Sequence, residues 1–393
     1  MPKLARNYYY PEYSNTYSTC SVVHINYDFS KNNNDISRVR PRVHKNKRKL
    51  DTLRFVFSCF ILLFMAFVVL PYSFAGISKS LFNPNPYKSI KVDFEDFAFP
   101  TTKYLSNALF MNHRSFRSAL PSKKAQMMML KENVNMPALR SELVSLMELY
   151  PNVKPAVYVW DYDSQNYVDI NASKIYSAAS IIKIPVLIDL FKSIEYGQLS
   201  LDDKIPLTEY YRTEGSGHLQ FKASNSLWSI DKLARVMITD SDNSATNMIM
   251  SKIGSMTDVN QAIRDWGINN TEVQTWLPDL NGNNHTTARD LATMLYNIDS
   301  NDKFLSEESR TKILDYMGHV HNNRLIHAGL GAGSVFYHKT GDIGKMLGDA
   351  GIVIAPNGTK YIVVILVNRN HNDIAGKDFI VHASEIIYKY MVR

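Results

Sequence analysis

The chain has 393 residues, 45% of them hydrophobic and 21% charged, which is the composition of a folded protein and excludes a disordered or fibrous one. Its formal charge of +7 would suit a nucleic-acid ligand, but residues 1–54 hold 11 Lys and Arg against 4 Asp and Glu, and the rest of the chain balances to zero. The basicity belongs to the tail alone, so no nucleic-acid partner is expected.

In chain order, residues 1–54 open with the Tyr- and Asn-rich "YYYPEYSNTYS" and end in "RVRPRVHKNKRKLDTLR", and they read as a disordered, basic, cytoplasmic tail. The next stretch, "FVFSCFILLFMAFVVLPYSFAGIS", has no charged residue from Phe55 to Ser78. Residues 55–75 are long enough for one transmembrane helix. The Lys and Arg on its amino-terminal side predict a single-pass anchor with the tail in the cytoplasm and everything beyond it extracytoplasmic, on the periplasmic side of the cell membrane. "SFA" before Gly76 resembles a signal-peptide cleavage site, yet a signal peptide has a short leading region and this one spans 54 residues, so the anchor reads as uncleaved. Both cysteines, Cys20 and Cys59, fall in the tail and the apolar stretch, so the external part folds without a disulfide or thiol chemistry.

Residues 76–135 show no sustained period and read as a stalk, with a short helix near "SKKAQMMMLKEN". A folded domain is expected over 136–393. In "MPALRSELVSLMELYPN", Leu139, Leu143, Leu146 and Met147 recur at helical spacing and Pro151 ends the run. "PAVYVWDY" and "NYVDI" read as a strand hairpin, and residues from 180 to about 330 as mostly helical. "SVFYHKTG", "DAGIVIAP" and "KYIVVILVN" read as three strands, the last two joined by an Asn357-Gly358 turn; a final helix places Ile380, Ala383, Ile386, Ile387 and Tyr390 on one face. The predicted fold is of the α/β class, an α+β sandwich: one antiparallel sheet built from both ends of the domain, flanked by terminal helices, with a helical subdomain and a cleft between.

One residue in the helical region needs a reason. Lys183 sits inside "SAASIIKIPVLIDLF", and a buried ammonium costs several kcal/mol unless it is paired or deprotonated. Ser180 lies three positions earlier, on the same face of a helix, where a neutral amine would take the hydroxyl's proton as the oxygen attacks. Ser-x-x-Lys alone is weak: Ser229 with Lys232 and Ser309 with Lys312 match it too, in ordinary amphipathic surroundings. Two further elements raise its weight, Ser241-Asp242-Asn243 within "RVMITDSDNSATNMI" and Lys339-Thr340-Gly341 at a strand end, 61 and 98 residues apart in this order.

Together these three elements resemble those of the penicillin-recognising serine enzymes, and the surroundings, with "GSGHLQ" at 215–220 and "WLPDLN" at 276–281, look like class A β-lactamases over about 136–393. The resemblance implies Ser180 as nucleophile, Lys183 as its activating partner and Ser241 as the proton relay to the leaving nitrogen. It implies Asn243 on the substrate amide, Lys339, Thr340 and Gly341 at the substrate carboxylate, and an oxyanion hole from the N–H groups of Ser180 and Asp342. It implies no metal and no cofactor.

The sequence departs from that family around one loop. Class A enzymes carry a glutamate four residues before the Leu-Asn asparagine, where it activates the deacylating water; here the asparagine is Asn281 and the position is Leu277. Thr275 replaces the arginine expected before the tryptophan, and the loop through "GNNH" is shorter. Asp279 is the nearest carboxylate, but two positions along an irregular loop would aim it elsewhere, and Glu214, beside the Gly-Ser-Gly turn, is a more remote substitute. Three functions are therefore open: a membrane-anchored β-lactamase-like hydrolase whose deacylation is in doubt, a D,D-peptidase acting on the D-Ala-D-Ala ends of peptidoglycan stem peptides, and a module that binds wall peptides without turnover.

Overall fold

A computed structural model describes residues 126–393. The tail, the anchor and residues 76–125 of the stalk lie outside the described residues, among which no helix is long and apolar enough to cross a membrane. From its amino-terminal end the described chain forms α1 (Pro137–Glu148), β1 (Lys154–Asp161), β2 (Tyr167–Ile170) and the two-residue β3 (Tyr176–Ser177). Next come α2 (Lys183–Glu195), β4 (Lys204–Pro206), β5 (Leu227–Ser229), α3 (Ile230–Thr239), α4 (Asn243–Lys252), α5 (Met256–Asp265), β6 (His285–Thr286), α6 (Ala288–Ser300) and α7 (Glu307–Met317). Then β7 (Val335–Asp342), β8 (Met346–Ile354), β9 (Lys360–Asn368) and α8 (Ala375–Met391) follow.

The strands expected from the two ends of the domain meet in one five-stranded antiparallel sheet, ordered β2-β1-β9-β8-β7. Its central seam pairs β1 with β9, so that Lys154 lies opposite Asn368 and Asp161 opposite Tyr361. Both strands are apolar on both faces, because both faces are covered. Val157 and Val159 of β1, with Val363 and Ile365 of β9, join one core with Leu139 and Leu143 of α1 and Phe379, Ile380, Ala383 and Ile387 of α8. The alternate positions, Ala156, Tyr158 and Trp160 with Ile362, Val364 and Leu366, join a second core with the helical region. Each leucine fully buried in this way contributes about 2 kcal/mol.

α2 is the axis of that second core. All residues from Lys183 to Ser193 are buried, the pattern of a helix surrounded on every side. The helices around it begin on side-chain caps: Ser229, Asp242, Ser255, Thr287 and Ser306 each accept a backbone N–H three residues on.

The segment from 126 to 135, placed in the stalk by its lack of a period, forms no helix and lies against the folded domain. Met127 is buried beside Trp266, whose carbonyl accepts the Met127 N–H at 3.1 Å. Trp160 Nε1 donates to Lys131 O at 2.8 Å, Tyr158 hydroxyl donates to Glu132 at 2.6 Å, and Asn135 bridges to Tyr167. Arg289 ties this strap down through Glu132 and Asp169. An extended strap gives neither a 3.6-residue nor a two-residue apolar rhythm, which is why the sequence offers no sign of it.

Candidate active site

Ser180 does not sit on an α-helix as expected but in a 3-10 turn, Ala179–Ile182, immediately before α2. Residues three apart eclipse in a 3-10 turn, so Ser180 and Lys183 are stacked more directly than an α-helix would place them. Ala179, just before the serine, has φ +46, a left-handed conformation that turns the hydroxyl toward the cleft. Lys183 Nζ lies 2.9 Å from Ser180 Oγ, 2.7 Å from Ser241 O, 3.0 Å from Ser241 Oγ and 2.9 Å from Asn243 Oδ1. None of these partners is a carboxylate. Full burial and the neighbouring Lys339 ammonium hold the Lys183 pKa well below the ordinary lysine value, against the smaller opposing pull of Asp242. A neutral Lys183 has one lone pair for the Ser180 proton and two N–H donors for Asn243 Oδ1 and Ser241 O, with Ser241 Oγ a fourth neighbour at 3.0 Å.

Ser241 is presented on a strained turn, φ +57, ahead of α4. Asp242 is a structural residue: one oxygen caps α4 at Ala245 N and the other accepts Leu219 N, both at 2.8 Å. The second bond draws residues 215–220 close, and Gly217 is required there because, at φ +98, a Cβ would lie 2.2 Å from the Asp242 carboxylate. Asn243 is engaged at both ends, accepting from Lys183 and donating to Glu214 O at 3.1 Å. Its amide nitrogen carries a second N–H with which to meet a substrate amide.

On β7, Lys339 is fully buried, its Nζ 3.1 Å from Ser241 Oγ and 2.9 Å from Thr340 O. Burial lowers its pKa to about 8, with the Asp349 carboxylate opposing. Ser241 Oγ therefore lies between two lysines, a geometry suited to passing a proton. Gly341 lets the strand touch the serine turn, since a Cβ would stand 2.9 Å from Ile181 Cγ1 and 3.1 Å from Ala178 O. Asp342 ends the strand with its carboxylate gripped by Arg369 Nη2 at 2.8 and 3.0 Å. Ser180, Ser241, Lys339, Thr340, Gly341 and Asp342 all line one cleft of about 290 Å³.

That cleft also holds residues to which the motifs assign no role. His218, Thr239, Asp240, His321, Asn322 and Arg324 complete its wall, with His321 paired to Asp240 at 3.0 Å. Asn322 and Arg324 come from an irregular segment with no motif, so only the fold brings them in. The two decoy pairs separate cleanly: Ser229 Oγ accepts the backbone N–H of Lys232, and Lys312 Nζ pairs with Asp231 at 2.9 Å.

In the loop after α5, the position where the resemblance implies a glutamate is apolar. Leu277 is 5% exposed and part of the apolar core, and its backbone is held at both groups by the Asn247 amide, at 2.8 and 3.1 Å. Asp279 spends both oxygens on its own loop, accepting Asn283 N at 2.9 Å and Asn284 N at 2.7 Å. Glu214 has an exposed side chain and reaches the site through its carbonyl only. The same loop is tied to the serine turn, where Ser177 Oγ donates to Gly282 O and Ala178 N to Asn284 O.

A Ser-Lys pair with its lysine fully buried, a second serine shared by two lysines and a lysine-bearing strand beside them define a penicillin-recognising serine hydrolase of the class A β-lactamase fold. The sequence model of the β-lactamase enzyme family matches residues 138–391, and the chain belongs to that family. Among curated proteins it is 25% identical over 255 residues to β-lactamase ROB-1 of Haemophilus influenzae, covering 60% of this chain and 79% of that one. To a β-lactamase of Bacillus licheniformis it is 25% identical over 281 residues, covering 65% and 87%. Among solved structures, PBP-A superposes with a TM-score of 0.65 at 35% identity, covering 67% of this chain and 98% of that one. An ancestral class A β-lactamase superposes at 0.60 with 21% identity over 64% and 99%, a likeness of fold alone.

Proposed function

We propose that this serine hydrolase is an acyl-transfer enzyme of the D,D-peptidase type, acting on D-Ala-D-Ala ends of peptidoglycan stems, and that β-lactams acylate it and leave slowly. The observation carrying this reading is the buried Leu277, with no carboxylate among the hydrogen-bond partners of Ser180 and Lys183. Ser180 Oγ attacks the carbonyl as its proton passes to Lys183 Nζ, and the oxyanion is met by the N–H groups of Ser180 and Asp342. Collapse breaks the C–N bond, and the departing nitrogen takes a proton from Ser241 Oγ, which is replenished from the lysine pair. Lys183 is then neutral again and available to activate an acceptor.

The two substrate classes separate at this point. A peptide amine leaves the site, so water or an acceptor amine can approach Lys183 and the acyl carbon. A β-lactam nitrogen stays tethered to the acyl group after ring opening and occupies the approach, so release needs a base on the opposite side, where this chain has Leu277. A solved structure of PBP-A is a leucine-to-glutamate mutant in acyl-enzyme form with penicillin G, which supports carrying penicillin acylation over to this chain. The β-lactamase names of the curated relatives support a second reading, efficient lactam turnover. The basic flank of residues 55–75 supports anchoring with the catalytic domain outside the cytoplasmic membrane.

Hydrolysis of a chromogenic cephalosporin tests this. The expected trace is a burst of one equivalent followed by little turnover, with the adduct on Ser180. Steady turnover at about ten per second or faster, an ordinary enzyme rate, would select the β-lactamase reading instead.

A further inference from the structure

On the sheet face away from Ser180 lies a polar pair that acyl transfer does not use. His338 and Lys339 are successive strand residues and point to opposite faces. Asp349 of β8 stands directly opposite Thr340 and diagonal to His338, on the His338 face. It is fully buried, with Oδ1 2.9 Å from His338 Nδ1 and Oδ2 accepting the Ile326 N–H at 3.2 Å. The His338 ring stacks on Phe336, centroids 4.2 Å apart and planes 21° from parallel. Gly351 makes room for it, because a Cβ there would stand 2.6 Å from His338 Cβ and 2.4 Å from Tyr337 O. The fold has cleared space for this pair.

Lys339 needs a counter-charge that its own face lacks. Its two hydrogen-bond partners, Ser241 Oγ and Thr340 O, are uncharged. The other charged or titratable groups around it are committed or of the wrong sign. Lys183 from α2 and Arg324 in the cleft are basic; Asp240 is paired with His321 and Asp342 with Arg369. Asp242 is spent on backbone N–H groups. On α7, which packs on β7, Lys312 pairs with Asp231 and Asp315 with Arg235. Behind the sheet stand His327, His338 and Asp349.

We propose that Asp349 is a positioning residue for acyl transfer, holding Lys339 in its ammonium form through the sheet, with His338 and Gly351 keeping that carboxylate aimed and dry. Burial alone favours a neutral amine, and an opposite charge across a low-dielectric sheet favours the cation. The direction of the Asp349 effect on Lys339 agrees. Recognition of the substrate carboxylate is then governed by a charge that never touches the substrate. The inference rests on the acylation of Ser180 proposed above for its kinetic arm only.

The test measures the pH dependence of Ser180 acylation by penicillin G in the full chain, unaltered and as Asp349→Asn, Asp349→Thr and His338→Gln, with Lys339 titration followed in parallel by ¹³C-lysine NMR. Both neutral replacements at 349 should move the alkaline limb and the Lys339 titration down from about 8, by about half a pH unit to one unit. His338→Gln should leave both near their original place, and a penicillin ester without the carboxylate should show no shift. A folded Asp349→Asn with an unmoved limb, an equal loss at every pH, an equal shift for the ester, or failure of both 349 variants to fold would overturn the proposal. Should the unaltered protein not be acylated at all, the proposed function fails, and the Lys339 titration still decides this inference.

Discussion

Arg369 grips both carboxylate oxygens of Asp342, the residue that ends β7 and whose backbone N–H is proposed above for the oxyanion. The same guanidinium donates to Gly344 O and Asp373 O, binding the β7–β8 turn to the start of the last helix. It both fixes a donor and neutralises a carboxylate beside the place where negative charge develops. Arg369→Gln is expected to slow acylation of Ser180 by about 10-fold, and Asp342→Asn in the same chain to recover part of that loss, because the unpaired charge is gone. A double-mutant cycle on the acylation rate measures it; additive losses would show that the pair only stabilises the turn.

Lys183→Ala removes the proton acceptor and leaves Asn243 Oδ1 without its donor. Acylation should fall by about 10²-fold to 10⁴-fold, the usual worth of a positioned general base. Ser180→Ala should abolish the covalent adduct altogether while the thermal unfolding curve is retained, since this half-exposed hydroxyl holds no element in place. Intact-mass spectrometry after mixing with penicillin reads both, and an adduct surviving on Ser180→Ala would move the nucleophile elsewhere.

The two lysines set a bell-shaped profile. Lys183 acts as the neutral amine, so acylation rises as pH climbs through its depressed pKa; Lys339 acts as the cation, so acylation falls above about 8. Stability follows its own sign. Between about 8 and the ordinary lysine value of 10.5, the unfolded chain binds a proton at position 339 that the folded chain has released, so this group adds stability as pH rises through that window. Stopped-flow acylation across pH checks the first statement, and Lys339→Met, which should flatten the alkaline rise in denaturation midpoint, checks the second.

Leu277→Glu places a carboxylate where the family has one, yet at a site that is 5% exposed and built into the apolar core. The expected result is a less stable protein with deacylation faster by less than about 10-fold, because a base held off its productive position contributes little. Adduct lifetime by mass spectrometry decides it, and a gain of 10³-fold or more would mean that the loop already presents position 277 to the acyl carbon.

Much of this site was legible because its residues break local rules. A lysine in an isoleucine run, and short polar motifs at a helix start and a strand end, conflict with what packing alone would choose, and such conflicts mark function. The sheet was legible for the opposite reason: β1 and β9 are long apolar runs and β8 is interrupted only at Asp349, and only a doubly covered sheet wants those. What escaped was everything that depends on three-dimensional neighbours. Asn322 and Arg324 reach the cleft from an aperiodic segment, Asn243 spends its amide on Glu214, and the strap from Met127 to Asn135 has a sequence that no period describes.

The anchor carries its own prediction. With residues 55–75 in the bilayer and the basic flank inside, protease added to intact spheroplasts should release the catalytic domain and spare the tail. A domain that is digested only after lysis would place it in the cytoplasm.

The seam between β1 and β9 has a further consequence, for the order of assembly. Lys154 has its partner in Asn368, so the sheet that backs the serine turn cannot close on a growing chain until nearly all of the domain has been made. Contacts so distant in sequence also fold slowly. A ribosome-bound or half-translocated chain thus carries Ser180 and Lys183 without the Lys339 strand opposite them, and reactivity toward penicillin should appear as a late, all-or-none event in synthesis.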